Sequence, residues 1–182
     1  MKHSTRHMII AALCLSLALL LPFLTLQNPA LGTMLCPMHI PVFLCAYVAD
    51  RKRAAAVGFV APILRSVLFG MPVMYPVALS MSFELAVYGF VCGLINDKLP
   101  KTGGNIYVSL ISAMIIGRGA AGLANAILYG FGGMEYTWKL FFTVSFVKAL
   151  PGIALHIAVI PVIVMSLRRA KLIDAPHHHD KF

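Results

Sequence analysis

Six apolar stretches, roughly 8–26, 37–49, 54–70, 77–96, 106–130 and 138–167, occupy nearly the whole chain, and the connections between them are too short to fold alone. A membrane-crossing helix needs about 20 predominantly apolar residues. Within hydrocarbon, only helices and closed barrels satisfy their own backbone hydrogen bonds. These stretches are continuous rather than alternating, so the pattern predicts an all-α integral membrane protein, a compact six-transmembrane-helix bundle forming one domain. Composition agrees, since only 12% of residues are charged where a soluble domain carries about 25%. The second stretch is short and holds Pro37 and Pro41. It is expected to start below the outer surface, which lets the preceding loop dip inward and wall a cavity.

Charge sets the orientation. With the N-terminus inside, the inner segments hold eleven lysines and arginines, among them Arg6, Arg51, Lys52, Arg53, Lys98, Lys101 and Arg168, and the outer loops hold only Lys139. That is a strong positive-inside bias. It predicts a multi-pass protein of a cell membrane with both termini cytoplasmic. Residues 1–7 form a cytoplasmic N-terminus, 8–169 the membrane domain, and 170–182 a cytoplasmic, disordered tail that includes His177–His179. The net charge of +9 is read as topology and contact with anionic lipid, not as nucleic-acid binding, because no basic soluble module is present to carry it. The start resembles a signal peptide, but Gln27-Asn28-Pro29-Ala30 offers no small-x-small cleavage site, so the first stretch is kept as a helix. The cysteines Cys14, Cys36, Cys45 and Cys92 lack C-x-x-C spacing, and no metal site is expected.

Two patterns of small residues predict close helix approach, Ala12-x-x-x-Ser16 and Gly89-x-x-x-Gly93. Asp50-Arg51-Lys52-Arg53 reads as a tight inner turn. Pro151 and Pro161 predict kinks in a long sixth helix.

Three cations, Arg65, Arg118 and Lys148, and one acid, Glu84, fall inside the apolar stretches. Each central cation costs about 2.5–3.5 kcal/mol on insertion scales and marks a site by default. Helical spacing extends them into stripes: Ser80, Glu84 and Tyr88; Arg118, Gly122 and Asn125; Ser145, Lys148, Gly152 and His156. Glu84 neutralises only one of the three cations. The surplus predicts a pocket in the outer half that binds a small anion, a carboxylate first, through Arg65, Arg118 and Lys148. Glu84, Tyr88 and Asn125 would read its hydroxyl or amide groups. The competing reading, stronger for Arg65 than for Arg118 and Lys148, is that the cations snorkel or pair with backbone carbonyls at helix ends. His39 and His156 are read as packing residues.

The segments His39-Ile-Pro-Val-Phe-Leu-Cys45, Leu64-Arg-Ser-Val-Leu-Phe-Gly-Met-Pro72 and Phe83-Glu-Leu-Ala-Val-Tyr-Gly89 resemble the substrate-binding S components of bacterial energy-coupling factor (ECF) vitamin transporters, over roughly Met8 to Arg169. The resemblance implies a six-helix bundle that captures a vitamin with high affinity from outside. It implies partners, a transmembrane T subunit and two ATPases, and a toppling motion that releases the vitamin inside. ATP would be hydrolysed by those partners, so no cofactor is expected here, and no Gly-x-x-x-x-Gly-Lys-Ser/Thr run exists. In the family a small-xxx-small motif on the first helix docks the T subunit; Ala12 and Ser16 match it. The family's pocket lies between the first outer loop and the last three helices, which matches Glu84, Arg118, Asn125 and Lys148 better than Arg65. The cation excess favours an anionic substrate, pantothenate first, with biotin, folate, niacin and flavin relatives open.

Two other classes compete. A solitary carrier or channel for small anions would work without ATPases. An intramembrane enzyme is disfavoured: Asp50 and Asp97 are isolated, and Ser145 and His156, eleven residues apart on one helix, are separated by about 16 Å, too far for proton transfer.

Overall fold

The computed structural model describes residues 2–25, 28–131 and 149–173, together with 137, 139, 142, 143 and 147. The described residues form seven α-helices and no strand: α1 Lys2–Leu20, α2 Pro29–Leu35, α3 His39–Val48, α4 Arg51–Phe69, α5 Leu79–Lys98, α6 Gly103–Phe131 and α7 Leu150–Arg169. A 3-10 turn, Leu21–Thr25, prolongs α1, and a π turn, Met74–Ala78, leads into α5. Among the described residues, four segments are long and apolar enough to cross a membrane: Ser4–Thr25, Met74–Lys98, Gly103–Phe131 and Leu150–Arg169.

Residues near the start of α1 and just past α7 meet two of the turns at one end of the bundle. There Arg53 donates to Ser4 Oγ at 3.0 Å and pairs with Asp50, and Arg6 donates to the Leu172 carbonyl at 2.7 Å. Arg51 lies 3.8 Å from Asp97, while Arg168 reaches Asn96 Oδ1 and the Lys101 carbonyl, each at 3.1 Å. Arg6, Arg51, Arg53, Lys101 and Arg168, assigned to one side by charge, thus share one end. Adjacent long helices run antiparallel, and α1 lies parallel to α4.

Several local expectations change. Ala49 and Asp50 make the inner turn, because the Asp50 carboxylate accepts the Arg53 amide at 2.8 Å as an N-cap and starts α4 at Arg51. Gly103 and Gly104 open α6. Pro151 sits in the first turn of α7. A proline there gives up only an amide that the helix leaves unpaired. The expected start of this helix at 138, with Tyr136 and Trp138, lies outside the described residues, as does the tail from 174.

The core forms where α3 is enclosed by α1, α4, α5, α6 and α7. Val42, Phe43, Cys45 and Tyr47 of α3 are buried, with Tyr88 of α5, Leu110 of α6 and Ile160 of α7. At ten residues, α3 is about 15 Å long, roughly half the hydrocarbon thickness. It is a half-length helix rather than a full span, since Met38 and His39 already lie buried at its head. Close approach of α4 and α5 depends on glycine. A Cβ at Gly58 would stand 2.3 Å from the Leu85 carbonyl oxygen, and one at Gly89 2.6 Å from the Ala54 backbone. Gly93 would meet Arg51 at 2.7 Å, so the Gly89–Gly93 stripe is the contact surface expected of it.

Candidate binding site

The site begins with a turn that lets the chain enter the bundle. Asn28 caps α2 through a 2.9 Å bond to the Ala30 amide, and Pro29 occupies the first turn. Cys36 ends α2 in the left-handed region, with φ 45°. That reversal directs its carbonyl oxygen inward, where it accepts from the His39 amide at 3.0 Å and from His156 Nε2 at 3.2 Å. A carbonyl only accepts, so Nε2 of His156 carries the hydrogen. The end of α2 rests on α7 at Gly152, where a Cβ would be 2.6 Å from the Met34 carbonyl.

Below this turn, α3, α5, α6 and α7 each contribute a polar or aromatic group. Glu84 and Tyr88 stand one turn apart on α5, and Tyr88 Oη donates to Glu84 Oε1 at 2.6 Å. The Tyr88 ring is fully buried against Gly117 of α6, where any Cβ would lie 2.1 Å from it. Arg118 is the next residue along α6 and is only 5% exposed. Its charge reaches Glu84, Tyr88, Cys36, His39 and His156. Phe43 stacks on Tyr88 at 5.1 Å, and His39 stacks on His156 with centroids 5.5 Å apart. His39 also touches Tyr88 at 5.3 Å.

Glu84, Tyr88 and Arg118 are therefore brought together. Asn125 is half-buried two turns beyond Arg118 on α6. Lys148 lies outside the described residues. Arg65 is not part of the group. It is 3% exposed, donates to the Leu19 carbonyl at 2.6 Å, and lies 5.1 and 5.4 Å from the Phe23 and Phe69 ring centres. This is the helix-end reading of that residue, and it removes one cation from the expected pocket surplus. Ala12 and Ser16 lie on the outward face of α1, where the Ser16 hydroxyl folds back to the Ala12 carbonyl at 3.0 Å. Around them Leu13 and Leu17 are exposed as well.

His39 and His156, read from the sequence as packing residues, pack within this group. Two signals of this were available. His39 heads a stretch too short to reach the surface, and His156 shares the stripe of Lys148 and Gly152.

The arrangement can hold and orient a small polar guest: one acid, one base, hydroxyl and imidazole groups, and buried rings that limit water. Among the described residues no three His, Cys, Asp or Glu side chains are grouped to hold a metal. A depression of about 560 Å³ lies at the basic end, lined by Asp50, Arg51, Lys52, Arg53, Ala56 and Asp97. It belongs to the turns of that end and not to the polar cluster.

A family model described as ECF transporter, substrate-specific component, matches residues 6–164. No curated protein and no solved structure matches the chain.

Proposed function

The chain belongs to the family of ECF transporter substrate-specific components, membrane-embedded binding subunits that are not enzymes, and on that premise we propose that it captures a small anionic micronutrient, pantothenate first, from outside a bacterial cell. The observation that carries this reading is the convergence of Glu84, Tyr88 and Arg118 beneath the Cys36 turn. The guest's carboxylate would pair with Arg118, a charge-assisted and planar interaction suited to guanidinium. Its hydroxyl or amide groups would meet Glu84, Tyr88 and Asn125, and Lys148 would add a second cation. Arg65 is better read as a tie between α1 and α4.

Delivery would need a T subunit and two ATPases, with no cofactor held by this chain. The exposed small-residue face at Ala12 and Ser16 is the proposed dock for the T subunit, since small residues let a partner helix approach in lipid. The topology that suits this role has six crossings, with both termini cytoplasmic. The 1–7 and 170–182 segments would lie in the cytoplasm, and 8–169 would form the binding domain of an inner-membrane protein.

Mass spectrometry of small molecules released from the purified protein, followed by radiolabelled pantothenate binding, tests this. Wild type is expected to bind, and Arg118→Ala and Lys148→Ala to bind at least tenfold more weakly. Equal affinity in both variants would overturn the pocket. Co-purification with a T subunit and ATPases separates this role from a solitary carrier, which would transport alone in proteoliposomes.

A further inference from the structure

His39 is 3% exposed, and its Nδ1 atom has no hydrogen-bond partner among the described residues. The Cys36 carbonyl lies beside the ring, but its two lone pairs are already taken by the His39 amide at 3.0 Å and His156 Nε2 at 3.2 Å. Among its other ring neighbours, Tyr88 Oη bonds to Glu84, and His156 Nε2 to Cys36. A buried ring nitrogen left unmet is costly, and native proteins seldom keep one without a use.

We propose that His39 Nδ1 reads a hydroxyl, amide or ring N–H group of the captured molecule, and that His156 is the positioning residue that holds His39 ready for it. The inference rests on the binding role given above and extends the site from α5 and α6 to α3 and α7. His156 fixes two things at once. Its Nε2 bond pins the Cys36 carbonyl, and its ring stacks on His39 at 5.5 Å. With Tyr88 packed against His39 at 5.3 Å, the imidazole is held by two rings before a guest arrives. Such preorganisation lowers the cost of binding. The division of labour is chemical: Arg118 takes the charged group, and His39 discriminates among uncharged ones.

The test compares wild type with His39→Leu, His156→Leu and His156→Gln, each as the full chain, dialysed in detergent, with pantothenate as probe. If Nδ1 serves only a guest, His39→Leu leaves the melting temperature of the ligand-free protein unchanged or higher, while pantothenate affinity falls at least tenfold. His156→Leu loses affinity as well, and His156→Gln, whose amide can still donate to the Cys36 carbonyl, recovers most of it. A lower melting temperature for ligand-free His39→Leu would show a packing role and overturn the proposal. So would unchanged affinity in that variant. Failure of wild type to bind pantothenate would sink the proposed substrate instead, and the ligand-free melting comparison would still decide the role of His39.

Discussion

Arg65 and Arg118 are equally hidden from solvent, at 3% and 5% exposure, yet they answer the cost of an intramembrane cation in different ways. Arg65 spends its charge on the fold. It bonds to the Leu19 carbonyl at the end of α1 and lies over Phe23 and Phe69. Those two rings pack edge to face at 5.0 Å. Arg118 stands where four helices converge, with its charge reaching one acid, one tyrosine and two histidines. Burial and charge do not separate the two arginines; their neighbours do. Backbone carbonyl and aromatic faces are what a structural cation asks for, whereas titratable and hydroxyl groups from several helices make a surface that a guest can use.

The sharpest test of this contrast is Arg118→Ala. Binding of the anionic probe is expected to weaken about 100-fold, equivalent to about 2.8 kcal/mol, measured by titration calorimetry in detergent. An affinity within threefold of wild type would erase the distinction, leaving both arginines structural. The matching change, Arg65→Ala, is expected to leave affinity within threefold and to cost about 2 kcal/mol of stability. That sum reflects a charge-assisted hydrogen bond and contacts with two rings. Arg65→Lys should recover only part of it, because an ammonium does not stack as a guanidinium does. Thermal unfolding followed by intrinsic fluorescence reads the effect, and a loss of affinity with full stability would reverse the assignment.

The contrast was only half legible in the sequence. Positions 65 and 118 were visible as cations in apolar stretches, and the Gly89–Gly93 stripe announced the close contact of α4 and α5. What the sequence withheld was depth and direction. The bond from Arg65 to Leu19 depends on α1 ending beside α4, which no local pattern encodes. His39 joins the cluster only because the left-handed Cys36 turn brings α3 into the bundle at half depth, and a non-glycine residue at positive φ carries no clear sequence signature. Pro151 was ambiguous for a simpler reason: a proline inside an apolar run breaks a helix or begins one, according to where the helix starts. Asp50 was read as part of a basic turn because its capping bond to the Arg53 amide is a three-dimensional fact.

Within the cluster a smaller change asks whether Glu84 needs its tyrosine. Tyr88→Phe removes the donor to Glu84 and keeps the ring that fills the space beside Gly117. Affinity for the probe is expected to fall about tenfold, or about 1.4 kcal/mol. Stability should change little, because the packed surface remains. A large drop in melting temperature with unchanged affinity would move Tyr88 to the side of Arg65, as a group that serves the fold.

A third arginine completes the series at the basic end, where water is at hand. Arg53 pairs with Asp50, and Asp50 also caps α4 through the Arg53 amide. Burial alone would raise the Asp50 carboxyl, but the hydrogen bonds from Arg53 and Lys52 and the Arg53 charge outweigh it and hold the group below its usual range. A carboxyl depressed by folding adds stability above its unfolded pKa, near 3.9, and that contribution is lost as pH falls through the lower folded value. Asp50→Ala is expected to cost about 1 kcal/mol at neutral pH, the usual worth of an N-cap, and less once the pH lies below the folded value, where the neutral carboxyl still accepts the amide but has lost its charge. The ion pair is part-exposed and adds little beyond the cap. Asp50→Ser should therefore restore most of the loss, since a serine hydroxyl accepts the same amide without a charge. If serine restores nothing, the pairing with Arg53 is the source of the stability, and a solvent-side cation contributes to this fold as a buried one does.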